Sequence, residues 1–389
     1  RCKGVPAVQN PEDPGVVIVG AGPAGLGAAG CLVQRGVRPL VIEREAQVAA
    51  SWRAHYERLH LHTVKTLSAL PGMPFPEHTP RYVPRQGVVD YLSAYALQHH
   101  IEPVFGEDVA SIVPHARGWK TVTVSGREFV SRAVVLATGA NREPRKAVFP
   151  GRERYLGQVV HSQAYRNAKP FAGQRVLVVG MGNTGAEIAL DLAEHGVQTA
   201  LSVRSPVNMV YRDVLGRPTQ VSSILLSKLP TAWGDWAATL LRNWTVGDLR
   251  RWGLRTANIS PLRQLREHGK TPVIDVGTLA CIKRGQIAVR PGIETFTAQG
   301  IRFNDATEQA FDTVILATGY DAHVAKLFPG AKPELDASGM PRDVVGRGAM
   351  SSVYFVGFDI RQPGGLLRAI AAQAQQVAQA ITSAHPATP

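Results

Sequence analysis

The chain has 389 residues, 44% hydrophobic and 19% charged, so it can bury a large core and is long enough for two domains. Its formal net charge is +13, but the basic residues are scattered and the longest Lys/Arg run is two, which argues against a nucleic-acid-binding protein. Two explanations of this charge are equally open: a general arginine bias, or a positive field that favours anionic cofactors and substrates.

Membrane and redox signals are weak. No run of eighteen apolar residues is present, so no transmembrane helix is expected. The first fifteen residues lack the apolar core of a signal peptide and are predicted to be a disordered lead-in. Cys2, Cys31 and Cys281 are far apart and form no CxxC pair, which argues against a metal site or a redox dithiol and favours a reducing, cytoplasmic location.

The first predicted unit is a strand, a glycine-rich turn and a helix. The stretch VVIVGAGPAG (16–25) leads into a helical pattern over 24–36 and a second strand at 39–44. Such glycines permit a tight turn, the approach of a pyrophosphate to the backbone and close packing of helix on strand. Glu43 stands where a carboxylate can accept the ribose hydroxyls of an adenosine that carries no 2′-phosphate. The predicted cofactor contacts are Gly20, Gly22, Pro23, Ala24, Gly25, Glu43, Arg44 and Trp52.

The same construction recurs at 175–205, with VLVVGMGNTG at 176–185. At the position of Glu43, this second unit has Arg204 followed by Ser205. A guanidinium pairs with a 2′-phosphate, whereas a carboxylate repels it, so this site is predicted to bind NADPH. The alternative is that Arg204 simply ends a strand in solvent. The predicted contacts are Gly180, Gly182, Asn183, Thr184, Gly185, Arg204 and Ser205.

Apolar strands that alternate with helices predict an α/β fold with parallel sheets and two Rossmann-like dinucleotide-binding domains. The NADPH domain (169–307) is predicted to be inserted in a flavin domain made of 14–168 and 308–385. Two sites in one chain imply hydride transfer from NADPH to a flavin, and no metal is expected. Two further strands, at 133–140 and 313–320, end in the same tripeptide, Ala-Thr-Gly (ATG in one-letter code), next to the two sites. They add Ala137, Thr138, Gly139, Ala317, Thr318, Gly319 and Tyr320 to the predicted contacts.

The segment 221–254 is rich in Leu and Trp, with Trp233, Trp236, Trp244 and Trp252 within twenty residues. Three interpretations are open for it. The helices could pack inside the inserted domain, they could form a lid or tunnel wall for an aromatic substrate, or they could dock on a membrane surface. Cations that would assist the last are Lys228, Arg242, Arg250 and Arg251.

A family signature lies between the two glycine motifs. The stretch YLGQVVHSQAY (155–165) fits the aromatic-x-Gly-x-x-x-His-x-x-x-aromatic signature, and the chain resembles the class B flavin-containing monooxygenases from about 16 to 381. RLHLHTVKTLSALPGMPFP (58–76), SVRSP (202–206) and GKTPVIDVG (269–277) resemble most closely the YUCCA-type branch, the indole-3-pyruvate monooxygenases.

This resemblance implies FAD and NADPH as cofactors. It implies a cycle in which NADPH reduces FAD, O2 adds at flavin C4a, and the resulting (hydro)peroxide attacks a small-molecule substrate. The favoured substrate is an α-keto acid such as indole-3-pyruvate, converted to indole-3-acetate. The alternatives are N- or S-oxygenation of a small amine or sulfide, a flavin reductase for a disulfide or protein partner, and a non-catalytic nucleotide sensor. The oligomeric state is not predicted.

The resemblance also singles out His62 as the candidate catalytic residue. Other monooxygenases of this class place an asparagine near the flavin, and here LHTVK puts His62 at that position. A histidine there could polarise or protonate a reaction partner. An equal alternative is a histidine that is satisfied by backbone contacts.

Overall fold

The structure is a computed structural model that describes residues 14–384. The predicted lead-in lies almost entirely outside the described residues, since it ends at residue 15. The strands are β1 Val16–Val19, β2 Leu40–Glu43, β3 Val104–Phe105, β4 Val109–His115, β5 Gly118–Thr123, β6 Glu128–Ser131, β7 Ala133–Leu136, β8 Glu143–Pro144, β9 Gln158–His161, β10 Arg175–Val179, β11 Gln198–Ser202, β12 Met209–Tyr211, β13 Asp213–Val214, β14 Arg217–Pro218, β15 Val273–Asp275, β16 Ile287–Arg290, β17 Ile293–Phe296, β18 Gly300–Phe303, β19 Glu308–Ala310, β20 Thr313–Leu316, β21 Tyr320–Asp321 and β22 Val353–Phe355. The helices are α1 Pro23–Val33, α2 Ala50–Arg53, α3 Arg85–Gln98, α4 Asn183–Glu194, α5 Thr219–Leu226, α6 Thr231–Val246, α7 Pro261–His268, α8 Thr278–Lys283 and α9 Leu366–Ala384.

The first sheet is parallel, with five strands in the order β22-β7-β1-β2-β3. Side chains alternate between its two faces, as the pleat requires. Val16 and Ile18 pack into a cluster with residues of α1, α3 and α9, and Val17 and Val19 pack against the β4–β6 sheet. Because both faces are covered, β1 is an unbroken apolar run with all four residues buried.

The second sheet repeats this plan with the order β16-β11-β10-β20-β9, again parallel. Val176 and Val178 face α4 and α8, while Leu177 and Val179 face the β17–β18 hairpin. Each sheet therefore receives its own strand–turn–helix unit, and the predicted class of two Rossmann-like α/β units is confirmed.

The predicted domain boundaries do not follow the sheets. β9 precedes the predicted boundary at 168/169 and β20 follows the one at 307/308, yet both pair within the second sheet. The first ATG strand, β7, lies beside β1, whereas the second, β20, lies beside β10 and pairs on its other side with β9. The chain passes between the two sheets at β8 and β21, which pair with each other in antiparallel fashion.

The Trp-rich segment forms α5 and α6. Trp233, Trp236 and Trp244 are 66%, 61% and 65% exposed, so the interpretation that they pack inside the inserted domain is wrong. Trp252 is half-buried and lies under the guanidinium of Arg251, 3.8 Å from its ring centroid. Arg242, expected among the surface cations, is buried. None of the helices in the described part of the chain is both long and apolar enough to span a bilayer.

Candidate active site

The first glycine motif forms the turn between β1 and α1, and its backbone contacts require glycine. Gly20 has φ +108°, where side chains are strained, and a Cβ there would lie 2.6 Å from the Ala137 carbonyl oxygen. A Cβ at Gly25 would lie 1.8 Å from the Gly20 carbonyl oxygen. Gly22, at the start of α1, has no atom within 4 Å of its Cβ position. This open space beside the helix N-terminus fits a pyrophosphate that approaches the backbone.

Glu43 is buried at the end of β2, against this turn. Its Oε2 accepts a hydrogen bond from the Ala21 N–H at 2.6 Å, and its Oε1 accepts one from the Glu45 N–H at 3.0 Å. Each carboxylate oxygen has a further lone pair that can accept a ribose hydroxyl. We call the two glycine turns, 20–25 and 180–185, the first and the second cradle. The Glu43 carboxylate is therefore fixed at the edge of the first cradle, as its predicted role requires.

The other predicted contacts of the first unit surround this turn. Arg44 is exposed and pairs with Glu45 at 3.3 Å. The Ala49 N–H donates to the Ala21 carbonyl at 3.0 Å, which brings α2 and the half-buried Trp52 next to the turn. Pro23 and Ala24 form the first turn of α1.

The second glycine motif repeats these contacts. Gly180 has φ +105°, and its Cβ would lie 2.7 Å from the Ala317 carbonyl oxygen; a Cβ at Gly185 would lie 2.0 Å from the Gly180 oxygen. Gly182 has open space at its Cβ position. The two turns are therefore built alike, and the second also fits a pyrophosphate.

The polar residues after Gly182 differ in their surroundings. Asn183 donates from Nδ2 to the Pro272 carbonyl at 3.3 Å and accepts the Ile274 N–H at 2.7 Å, so its amide fixes the segment around β15. Thr184 is half-buried in the first turn of α4.

Arg204 and Ser205 are exposed just after β11. A Cβ at Gly292 would lie 3.2 Å from Arg204 Cγ, and the Arg204 carbonyl accepts a bond from Arg255 Nη2 at 2.8 Å. Across residues 14–384, the guanidinium of Arg204 has no hydrogen bond or ion pair. A positioned stem with an uncommitted cationic head is suited to bind an anion such as a 2′-phosphate.

The ATG turns adjoin both cradles, since the carbonyls of Ala137 and Ala317 face Gly20 and Gly180. Gly139 and Gly319 have φ values of +81° and +86°, so both turns adopt backbone that favours glycine. The buried hydroxyl of Thr138 has no hydrogen-bond partner among the described residues, whereas that of Thr318 donates to the Arg145 carbonyl at 3.0 Å.

The signature histidine ties β9 to the second ATG turn. His161 Nε2 lies 3.2 Å from the Gly319 carbonyl oxygen, and its ring meets that of Tyr320 edge-on, with centroids 5.2 Å apart. Burial lowers the pKa of His161, while the bond to Gly319 opposes that shift. A neutral ring with a proton on Nε2 donates to this carbonyl. The signature therefore has a structural role at the passage between the two sheets.

His62 is held by a carboxylate from the other unit. Its Nε2 lies 2.7 Å from Glu187 Oε1, and Glu187 is buried on α4, the helix that follows the second cradle. Tyr56 donates its hydroxyl to the same oxygen at 3.1 Å. His62 Nδ1 is buried and has no hydrogen-bond partner among the described residues. The alternative of a histidine satisfied by backbone contacts is therefore wrong.

Glu187 is the first of three acids at helical spacing on α4, which we call the acidic row: Glu187, Asp191 and Glu194. Tyr165 donates to Asp191 Oδ2 at 2.5 Å, and Arg58 forms an ion pair with Glu194. Burial, followed by the charge of Glu187, raises the pKa of Tyr56, and burial with the bond to Asp191 raises that of Tyr165. Both tyrosines therefore remain hydrogen-bond donors at neutral pH.

The segment that carries His62 packs against the chain just before α9, and that part of the chain also contacts the first turn of α1. A Cβ at Gly365, just before α9, would lie 2.5 Å from the Thr63 methyl group, and a Cβ at Gly357 would lie 3.0 Å from the Ala24 Cβ in the first turn of α1. His62 thus stands between the start of α4 on one side and the region of α1 and α9 on the other.

Sequence reasoning missed Tyr56, Glu187, Asp191 and the buried Gln220, which accepts the Val64 N–H at 2.8 Å and donates to the Gly364 carbonyl. A signal existed for the acids, because the pattern GAEIALDLAEHG places them on an inward face of α4. An acid at a buried position needs a partner. The identity of that partner depends on tertiary structure.

Comparison with known proteins identifies the family. A model of the family described as flavin-binding monooxygenase-like matches residues 14–329. The chain is 39% identical over 357 residues to indole-3-pyruvate monooxygenase YUCCA1 of Oryza sativa subsp. japonica, covering 90% of this chain and 87% of that protein. It is 38% identical over 362 residues to indole-3-pyruvate monooxygenase YUCCA6 of Arabidopsis thaliana, covering 90% and 87%.

The fold is also found among solved structures. The flavin-containing monooxygenase from Stenotrophomonas maltophilia superimposes with a TM-score of 0.74 at 22% identity, covering 96% of this chain and 99% of that one. This chain therefore belongs to the flavin-binding monooxygenase-like family and is similar to its YUCCA-type members, as the sequence predicts.

Proposed function

We propose that this protein is an FAD- and NADPH-dependent monooxygenase whose favoured substrate is an α-keto acid such as indole-3-pyruvate, which it converts to indole-3-acetate and CO2. The observation that carries the cofactor choice is the pair of like-built glycine turns with opposite charge at the ribose position, Glu43 and Arg204. The choice of substrate is supported by the relatives named as indole-3-pyruvate monooxygenases.

The cradles fit the two groups. Gly22, Glu43 and the free hydroxyl of Thr138 would hold FAD, while Gly182 and Arg204 would hold NADPH. When bound, NADPH supplies a hydride and FAD supplies the reduced ring that activates O2. The buried, unpaired thiols of Cys31 and Cys281 suit the reducing cytoplasm as the location of such an enzyme.

His62 would handle a proton at the place where the cofactors meet. Because the Glu187 carboxylate accepts the bond at Nε2, the proton of the neutral ring lies on Nε2, and Nδ1 carries a lone pair. The unpartnered Nδ1 can then bind a proton from, or return one to, a group at the site. Glu187 fixes the tautomer of the neutral ring.

The test is product analysis with purified, flavin-loaded enzyme, NADPH and O2. Indole-3-pyruvate, phenylpyruvate, trimethylamine and methyl phenyl sulfide are compared by NADPH consumption and mass spectrometry. The proposal expects CO2 and the shortened acid from the keto acids, and much less product from a His62→Asn variant that still binds both cofactors.

Two outcomes would contradict it. Oxygenated product from the amine or the sulfide alone would replace it with N- or S-oxygenation. NADPH-dependent reduction of a disulfide or an acceptor dye without any oxygenated product would replace it with a reductase.

A further inference from the structure

Helix α6 presents its aromatic side to solvent. Leu229, just before the helix, and four side chains along it form a stripe at spacings of three and four residues, which we call the tryptophan stripe. Its members and their exposed fractions are Leu229 (46%), Trp233 (66%), Trp236 (61%), Leu240 (54%) and Trp244 (65%). The rings of Trp233 and Trp236 meet edge-on, with centroids 6.5 Å apart. The stripe is thus a continuous apolar surface, not a set of scattered side chains.

The inward side of α6 explains why this orientation is fixed. Gly234, Ala238, Arg242 and Val246 are buried at a spacing of four residues. A Cβ at Gly234 would lie 2.6 Å from the Leu226 carbonyl oxygen, so α5 and α6 approach too closely for a larger residue.

Arg242 adds a polar anchor to this inward side. It donates from Nη1 to the carbonyls of Ala257 and Ile259 at 3.0 and 3.1 Å, and also to the Asn208 side chain. Rotating the helix to bury its tryptophans would break these hydrogen bonds and displace a buried guanidinium. The outward orientation of the tryptophan stripe is therefore a property of the fold.

Charge distinguishes between the two surfaces that could cover the stripe. Lys228 is the one exposed charged residue among the described residues 219–247, because Asp235 points to Arg266 at 2.8 Å and to Ser260, and Arg242 is buried. Just beyond the other end of the stripe, Arg250 and Arg251 are exposed together with Asp248, which pairs with Arg250 at 2.8 Å, so Arg251 is the cation left without a carboxylate partner among the described residues at this end.

A second copy of this chain would bring the same cations and a net charge of +13 against them. An anionic lipid surface has the complementary charge, and tryptophan prefers the boundary between headgroups and acyl chains. Both the apolar stripe and the cations at its ends therefore match a bilayer better than they match another copy.

We propose that the tryptophan stripe docks the protein on the surface of anionic bilayers. The three indoles and two leucines lie at the level of the headgroups, and Lys228 and Arg251 face lipid phosphates. The stripe binds one face of the bilayer.

The experiment is co-sedimentation of the full chain with vesicles of equimolar phosphatidylglycerol and phosphatidylcholine, with pure phosphatidylcholine as the neutral surface. Tryptophan emission is recorded in parallel and should shift to shorter wavelength on binding. The triple variant Trp233→Ser, Trp236→Ser, Trp244→Ser should partition roughly a hundredfold more weakly, since it removes most of the inserted apolar area. The matched control is Leu97→Ser with Val148→Ser, which removes side chains that are 78% and 93% exposed elsewhere on the surface.

A second variant tests the charge argument. Lys228→Glu with Arg251→Glu should weaken binding to the anionic vesicles about tenfold or more, and the wild-type chain should bind them less well as salt is added. Circular dichroism and the thermal transition show whether each variant is folded.

Three outcomes would overturn the proposal. One is a wild-type chain that stays in the supernatant with anionic vesicles, and another is a folded triple variant that sediments as well as the control. The third is a stable dimer in light scattering that the triple variant dissociates, because a second copy would then cover the stripe.

Discussion

The buried contact between His62 and Glu187 gives the most direct test of the site. Glu187 has a side chain only 5% exposed and accepts two hydrogen bonds, from His62 Nε2 at 2.7 Å and from the Tyr56 hydroxyl at 3.1 Å. Glu187→Gln keeps the shape of the side chain but replaces a charged acceptor of both hydrogen bonds with a neutral one. Hydrogen bonds to charged groups contribute about 1.5–3 kcal/mol each, so we expect a loss of about 2–3 kcal/mol in the free energy of unfolding.

Glu194→Gln is the matched control. Glu194 lies on the same helix and pairs with Arg58, but its side chain is 43% exposed. Exposed ion pairs contribute about 1 kcal/mol or less, so a urea titration of this variant should show a free energy of unfolding that is lower by only about a few tenths of a kcal/mol.

A double-mutant cycle then separates the pair from its surroundings. Combining Glu187→Gln with His62→Gln should destabilise less than the sum of the two single changes, with a coupling of about 1–2 kcal/mol. Product formation by Glu187→Gln should fall at least tenfold while both cofactors still bind, because the proton-handling ring is no longer fixed. Additive effects in the cycle, or a Glu187→Gln variant as stable as Glu194→Gln, would refute the reasoning.

Further predictions concern the cradles and pH. Gly22→Val should fold normally but be isolated without flavin, because its side chain fills open space that the pyrophosphate needs. Gly25→Ala should fail to fold, because its Cβ would lie 1.8 Å from a carbonyl oxygen. Flavin-loaded protein from Gly22→Val would contradict the assignment of the first glycine motif. Arg204→Ala should weaken NADPH binding by about 1.5–3 kcal/mol and leave NADH almost unchanged in a fluorescence titration, and equal losses would show that the guanidinium does not bind the 2′-phosphate. Burial raises the pKa of Tyr56 and Tyr165 above the usual 10, so their contribution to stability is complete below pH 10 and is lost as the pH rises further. Urea titrations should therefore show stability falling above pH 10, more steeply in the wild type than in Tyr165→Phe, and equal slopes would contradict the role of that residue.

Local patterns predicted the two sheets and both turns. The apolar runs at β1 and β10 and their glycines specify a strand, a tight turn and a helix through contacts within a few residues. The sheet that each ATG strand joins depends on contacts between residues far apart in the chain, and the two strands have nearly the same sequence. The boundary at 307/308 therefore differs from the sheet membership of β20, and the boundary at 168/169 differs from that of β9, an edge strand that joins the second sheet through its pairing with β20.

The candidate site was predictable only in part. Its glycines, Glu43 and Arg204 belong to motifs whose spacing is fixed along the chain, so their place could be given in advance. The partner of His62 could not, because Glu187 lies 125 residues away and meets it only through packing of α4 on the other unit. The outward direction of Trp233 likewise depends on the buried anchor of Arg242 on the opposite side of α6.

The pairing of β8 with β21 has a consequence for protein engineering. These strands are neighbours, with Pro144 opposite Tyr320 and Glu143 opposite Asp321. The chain therefore leaves the first unit for the second, and returns to the first, at the same place. A replacement for the segment between β8 and β21 therefore starts and ends at the same two neighbouring strands. The entropic cost of closing that segment changes little, because this cost grows only slowly with segment length. The segment between β8 and β21 can therefore serve as a replaceable cassette, and chimaeras joined at these two strands should keep the first sheet intact.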